Sequence, residues 1–392
     1  MTKAAGAACN LDCTYCYYLE KEALYETRGR TRMSMETLEV FVRDYIRSQP
    51  TNLVTFAWQG GEPTLMGIDF YREAVRLQQL YSDGREIENA FQTNGTRLDD
   101  AWCEFFSKNG FLVGISIDGP KEIHDAYRLG RSGRGSFDEV MRGLRLLQKH
   151  GVSYNTLTTV HHANEDRGRE VYKFLKKCGS RYLQFIPIIE REAGPCARQA
   201  GLKLASPDDP ESAVMPWSVS STGFGRFLKD VFDVWIKRDV GKVFVQHFDG
   251  ALASWLGIGG GACVFAETCG HNLAIEHDGS IYACDHYVYP EYRVGHVGEA
   301  PLASIIDQPS QRAFGKAKKD SLPKACHECA YLFACNGDCP KHRFVRLPDE
   351  THPQSYLCRS LKSFFKHIDP AMRTMAEDWR RRNGTPQGAL KP

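Results

Sequence analysis

From Ser34 onward, apolar residues recur at Leu38, Phe41, Val42, Tyr45 and Ile46, the spacing of one helix face, with Ser34 placed to cap it. The short apolar run Leu53 to Trp58 then reads as a buried strand. The alternation repeats with a helix about Phe70 to Tyr81, a strand Ile87 to Gln92, a helix Asp99 to Lys108 and a strand Leu112 to Ile117. Two more rounds follow: helix Phe137 to His150 with strand Tyr154 to Val160, and helix Asp166 to Cys178 with strand Tyr182 to Pro187. Apolar strands alternating with amphipathic helices imply parallel βαβ units with right-handed crossovers, and about five or six such units make an α/β barrel or part of one. Residues 190–221 are rich in Pro and show little periodicity, so they read as a connecting loop, open between a pocket cover and a plain linker. The helix from Gly223 to Val240 carries Phe224, Phe227, Leu228, Val231, Phe232, Trp235 and Ile236 on one broad stripe, which is core.

Parallel α/β barrels build their sites on the loops at the C-terminal ends of the strands. Here those ends read Gln59-Gly60-Gly61-Glu62-Pro63, Gln92-Thr93-Asn94-Gly95 and Ser116-Ile117-Asp118-Gly119. Glycines there admit a ligand to the backbone, and carbonyls and carboxylates there can accept from an ammonium or from ribose hydroxyls. Ahead of the first helix stand Cys9, Cys13 and Cys16, spaced C-x3-C-x2-C. Three thiolates leave a four-coordinate site one ligand short, and an iron–sulfur cubane held that way keeps one iron open for a small molecule. A structural zinc site would be closed by a fourth protein ligand.

The charge balance adds no competing signal. Fifty basic and 48 acidic residues leave a net charge of +2, and no apolar run reaches the ~20 residues of a membrane span. Neither a nucleic acid nor a membrane is an expected partner, and the expected compartment is the cytoplasm. There thiols stay reduced, so 14 cysteines at short spacings read as metal ligands before disulfides. Eight of them lie late in the chain: Cys263, Cys269, Cys284, Cys326, Cys329, Cys335, Cys339 and Cys358. Eight thiolates complete two four-ligand sites, and spacing alone leaves zinc and iron–sulfur both open. The Asp278-Gly279 pair marks a hairpin that delivers Cys284 and, next to it, Asp285 and His286. Anionic thiolates beside Asp285 are expected to raise its pKa toward that of a working proton acceptor. Cys103 and Cys178 sit in helical patterns and read as small buried hydrophobes, and Cys196 is left over.

Taken together, Cys9 to Cys16 with Tyr17-Tyr18, Trp58 to Pro63, Gln92 to Gly95, Tyr182 to Phe185, Tyr282 to His286 and Cys335 to Pro340 resemble the anaerobic sulfatase-maturating enzymes. These are radical S-adenosylmethionine (SAM) proteins with a SPASM-type auxiliary-cluster domain. The resemblance implies a partial parallel (β/α)6-type TIM barrel over residues 1–240, with 190–221 as its connecting loop. A small cysteine-rich SPASM domain over 241–365 and a C-terminal helix and tail over 366–392 would follow. It implies three 4Fe–4S clusters: a catalytic one on Cys9, Cys13 and Cys16 whose open iron chelates SAM, one on Cys263, Cys269, Cys284 and Cys339, and one on Cys326, Cys329, Cys335 and Cys358. Tyr15, Gly61, Ser116, Arg128 and Ile189 fall at the family's SAM contacts and Asp285 at its catalytic-base position. The implied reaction is radical oxidation of a Cys or Ser of an unfolded or nascent sulfatase polypeptide to Cα-formylglycine, with a reductant such as flavodoxin or ferredoxin as electron donor. In one respect the chain departs from the pattern: the family's strand into the first cysteine has only the eight small residues Met1 to Ala8 to form from, so a barrel edge is expected to lie exposed beside the catalytic loop.

A maturase that crosslinks ribosomal peptides would share every cluster but need not share Asp285. A non-catalytic iron–sulfur electron carrier or zinc-binding protein would not need the strand-end motifs. Division of the 11 cysteines as three, four and four predicts about twelve irons per chain after anaerobic reconstitution. Iron near four with stoichiometric zinc, read by elemental analysis, would contradict it.

Overall fold

The computed structural model describes residues 1–392 apart from 26–31, 208, 210–211 and 385–392. Its centre is one ten-stranded sheet. In chain order the strands are β1 (Thr2–Lys3), β2 (Leu53–Trp58), β3 (Glu86–Thr93), β4 (Leu112–Ser116), β5 (Tyr154–Val160), β6 (Tyr182–Pro187), β7 (Phe244–Val245), β8 (Ala274–Glu276), β9 (Ser280–Tyr282) and β10 (Arg293–His296). Strands β1 to β7 are parallel and lie side by side in sequence order. Predicted helices Met35–Ser48, Ile68–Tyr81, Asp100–Lys108, Phe137–Lys149 and Gly168–Lys177 form the crossovers. Ser34 caps the first of them, its hydroxyl accepting from the Thr37 N–H at 3.1 Å.

Strand alternation sorts the two faces of the sheet. Val54, Phe56, Trp58, Phe91, Val113, Ile115, Leu183 and Phe185 are buried in the main core. The registers place Ala57, Gln92, Gly114, Ser116, Asn155 and Gln184 on the other face, which is mostly small and polar. Small side chains are needed there: a Cβ on Gly114 would come within 2.1 Å of Gln92 Oε1.

The expected exposed edge beside the cysteine loop is not found. Although β1 is only two residues long, it pairs with β2 on one side and with β8 on the other, so β8 to β10 continue the barrel sheet. Met1 N donates to Leu273 O and Ile275 N to Met1 O, each at 2.8 Å. Two residues suffice because both of their edges are hydrogen-bonded, a condition that no local pattern encodes. The segment predicted as a connecting loop is folded over the sheet end, with Leu204, Met215 and Trp217 packed around Tyr15. Two helices escape the periodicity count in part: Gln246–Leu256, and Cys358–Asn383, which runs unbroken through residue 365 and packs on Gly223–Arg238. Among the described residues no helix is long and apolar enough to cross a membrane.

Trp58 joins the two requirements of the core, since it is 1% exposed and its indole N–H donates to Asn89 Oδ1 at 2.7 Å. Trp58→Ala leaves a large cavity and removes one of the two hydrogen bonds to Asn89 Oδ1, the other coming from Gln78 Nε2 at 2.9 Å, and is expected to cost about 3–5 kcal/mol in a urea melt.

Candidate active site

The three-cysteine loop is bolted to the strand ends by its backbone. Gly61 N donates to Gly6 O at 2.8 Å and Glu62 N to Ala8 O at 2.7 Å. A Cβ on Gly61 would stand 2.0 Å from Ala8 O, so only glycine lets β2 approach the loop this closely. From the other side, Asp12 N donates to Leu129 O and Thr14 N to Tyr127 O at 2.8 and 2.9 Å. The buried Glu62 carboxylate spans two loops, accepting from Thr64 N and Asn94 N at 3.0 and 2.8 Å and from the hydroxyls of Thr64 and Thr93 at 2.7 and 2.8 Å. Asn94 Nδ2 points to Cys9 Sγ at 3.7 Å and to Asn10 Oδ1 at 3.0 Å. Glu62 and Asn94 are therefore scaffolding of the cysteine loop.

Of the residues expected to contact SAM, Tyr15 lies in this loop and Gly61 and Arg128 stand beside it. Tyr15 and Arg128 converge on the buried Asp118 carboxylate, the phenol donating at 2.5 Å and the guanidinium Nε at 2.9 Å. Thr159 N donates to its other oxygen at 3.0 Å, and His161 Nε2 lies 3.6 Å away. Burial pushes the Asp118 pKa up, but Arg128 and His161 outweigh it and hold the carboxyl well below its usual range. Asp118 thus commits Oδ2 to holding Tyr15 and Arg128, while Oδ1 accepts from one backbone N–H. Ser116 Oγ accepts from Gln92 Nε2 at 3.1 Å on the mostly small and polar face, while Ile189 is buried in the core beyond β6. His161, which the sequence did not single out, is fully buried with Nδ1 unpartnered and packs its ring against Tyr15 and Tyr127. Such an orphan acceptor or donor fits a ligand in this wall.

The later thiols fall into two groups, judged by which of them raise one another's pKa. Cys284 is raised by burial and by Cys263 and Cys269, and Cys339 by burial and by Cys284 and Cys263. Cys326 is raised by burial and by Cys358 and Cys329, and Cys335 by burial and by Cys358 and Cys326. Backbone N–H groups point at Cys9 from Leu11, at Cys16 from Tyr18 and Leu19, at Cys269 from Gly270, at Cys284 from His286, at Cys335 from Gly337 and at Cys339 from Lys341. Donors aimed at sulfur stabilise thiolate, and neither Cys103 nor Cys178 receives one. The donor set therefore fits anionic sulfur ligands. Among the described residues no three His, Cys, Asp or Glu side chains gather closely enough to hold a single ion. Cluster ligands need not, since each thiolate takes its own iron.

Asp285 stands between the first cysteine loop and the hairpin thiols. Its Oδ1 forms an ion pair with Lys3 Nζ, and its Oδ2 accepts from the hydroxyl of Tyr17, the neighbour of Cys16, at 2.8 Å. Burial pushes its pKa up, yet Lys3, His286 and the Tyr17 hydrogen bond win and hold it below the ordinary carboxylate range. This reverses the expected upward shift. Lys3 lies 282 positions away in sequence, and nothing in the local pattern places it here.

Residues 5–175 match the radical SAM superfamily, and residues 263–330 match the SPASM iron–sulfur cluster-binding domain. The chain is 45% identical to a serine-type anaerobic sulfatase-maturating enzyme of Bacteroides thetaiotaomicron, over 96% of this chain and 91% of that protein. It is 35% identical to a cysteine-type enzyme of Clostridium novyi, over 93% and 94% of the two chains. A solved structure, native anSMEcpe with bound AdoMet and Kp18Cys peptide, superposes with a TM-score of 0.83 at 30% identity, covering 96% of this chain and 98% of that one. The cysteine loop on a parallel sheet, the late thiols and these likenesses agree: the chain belongs to the anaerobic sulfatase-maturating enzymes, radical SAM oxidoreductases whose cofactors are SAM and iron–sulfur clusters.

Proposed function

We propose that this chain oxidises a specific Cys or Ser of a sulfatase polypeptide to Cα-formylglycine, with Asp285 as the proton acceptor. The observation that carries this is the seat of Asp285, held by Lys3 and Tyr17 between the Cys9–Cys16 loop and Cys284. The ligand sets are those implied by the family resemblance: Cys9, Cys13 and Cys16 for the catalytic cluster, Cys263, Cys269, Cys284 and Cys339 for one auxiliary cluster, and Cys326, Cys329, Cys335 and Cys358 for the other. When bound, these groups supply a 5′-deoxyadenosyl radical that takes one hydrogen atom from substrate Cβ, and an acceptor for one electron.

The protein positions and deprotonates. Tyr15, Gly61, Ser116, Arg128 and Ile189 form the SAM-side wall, with Asp118 locking Tyr15 and Arg128 in place. Once the Cβ hydrogen is gone, the neighbouring hydroxyl or thiol becomes far more acidic, so a carboxylate of low pKa can still accept its proton. Lys3 and Tyr17 keep Asp285 ionised beforehand and oriented by two contacts. Loss of a hydrogen atom, a proton and an electron yields the aldehyde from Ser, or the thioaldehyde from Cys, which water hydrolyses to formylglycine. The proposed division into a barrel over 1–240, an auxiliary-cluster unit over 241–365 and a C-terminal helix and tail over 366–392 separates the ligand sets, while β7 to β10 carry the barrel sheet past residue 240 and the last helix begins at Cys358. A flavodoxin or ferredoxin as electron donor and a cytoplasmic site for the reaction belong to the same proposal.

Asp285→Asn keeps the shape of the side chain and removes the base. Iron content, SAM binding and 5′-deoxyadenosine release are expected to persist, while formylglycine, read by mass spectrometry of the peptide, falls by at least ~10². Formylglycine formation near the parent rate would overturn the role of Asp285 and favour a peptide-crosslinking maturase.

A further inference from the structure

Two buried cations in the late cysteine region have no carboxylate partner among the described residues. Lys318, 1% exposed, donates only to main-chain oxygens: Cys263 O at 2.5 Å, Val264 O at 3.3 Å and Ala266 O. Arg343, 8% exposed, donates to Gly337 O at 2.8 Å, Lys318 O at 2.6 Å, Asn336 O at 3.1 Å, Asp338 O at 3.2 Å and Ser321 Oγ at 3.4 Å. The carboxylate closest in charge terms, that of Asp338, is engaged by His342 Nδ1 at 2.9 Å and Ser355 Oγ at 2.8 Å. Two cations against one anion leave a net positive charge in a dry region, which costs several kcal/mol unless something anionic answers it. The carbonyls that hold them belong to the cysteine loops: Cys263 O itself for Lys318, and those of Asn336, Gly337 and Asp338, between Cys335 and Cys339, for Arg343. Lys318 acts electrostatically on Cys263, Cys269 and Cys339, all in one thiol group. Arg343 acts on Cys269 and Cys339 of that group and on Cys326 and Cys335 of the other.

We propose that Lys318 and Arg343 are positioning residues for electron transfer, fixed positive charges that raise the reduction potentials of the two auxiliary clusters. Lys318 serves the cluster of Cys263, Cys269, Cys284 and Cys339, and Arg343, lying between the groups, serves both. The inference rests on the proposed function. Reduction adds one negative charge to a cluster while the substrate gives up one electron, so a cation held nearby stabilises the reduced form more than the oxidised form. Hydrogen bonding to neutral oxygens suits this role, because a paired carboxylate would cancel the field.

The test is an EPR-monitored redox titration of the reconstituted holoenzyme, with the catalytic cluster identified by its response to added SAM. In Lys318→Met the midpoint of one auxiliary cluster should fall by about 59 mV or more, a tenfold loss in the one-electron reduction constant, with the SAM-responsive cluster unmoved. Lys318→Arg, which keeps the charge, should restore it; a purely structural role would not distinguish Met from Arg by potential. Should Lys318→Met lose iron, Arg343→Gln against Arg343→Lys makes the same comparison, with both auxiliary potentials falling in the first alone. Unchanged potentials at full iron content would overturn the inference and leave the proposed function standing. A holoenzyme with the SAM-responsive cluster alone would instead overturn the assignment of the auxiliary clusters.

Discussion

A single buried ion pair, Lys3 with Asp285, holds together the parts of this protein that have to act together. Lys3 lies on the two-residue strand that enters the catalytic loop, and Asp285 follows the hairpin cysteine Cys284. Desolvating two charges is costly, and their attraction offsets that cost only with good geometry and further hydrogen bonds. Tyr17 supplies one of these to Asp285, and the Lys3 ammonium also sits 4.2 Å from the Tyr18 ring centroid. The pair is thus stable only when strand, cysteine loop and hairpin are all in place. The proton-accepting site is therefore complete only when the first strand, the cysteine loop and the hairpin are brought together.

The same coupling explains why the exposed edge expected from the sequence does not occur. A short strand of small residues forms when neighbours on both sides hydrogen-bond to it, and here β2 and β8 do so. Extension of the sheet by the hairpin is what brings Cys284 and Asp285 to the mouth of the barrel.

Much of this was legible before any coordinates. Helix periodicity and apolar strand runs located the crossover helices and β2 to β6 closely, because each packs one face against a common core and so carries its pattern locally. The cysteine spacings separate the first three thiols from the later eight, and the flanking motifs mark the family, whose pattern implies how the eight divide. What escaped were interactions between distant segments: Lys3 on Asp285, His161 against Tyr15, and Arg343 between two thiol groups. The direction of the Asp285 shift is set by burial against Lys3, His286 and Tyr17, and Lys3, the strongest of the groups that lower it, is remote in sequence. Likewise no local pattern shows that Asp118 spends one carboxylate oxygen on Arg128 and Tyr15.

The central claim is that carboxylate, radical source and electron acceptor meet on one substrate carbon. Its most direct test is anaerobic incubation of the reconstituted enzyme with SAM, a strong reductant and a sulfatase-derived peptide, read by mass spectrometry. The account predicts loss of two hydrogens from a seryl peptide, or loss of two hydrogens with exchange of sulfur for oxygen in a cysteinyl one, at a single residue and matched by 5′-deoxyadenosine. A crosslinked peptide, or 5′-deoxyadenosine with the peptide unchanged, would contradict it.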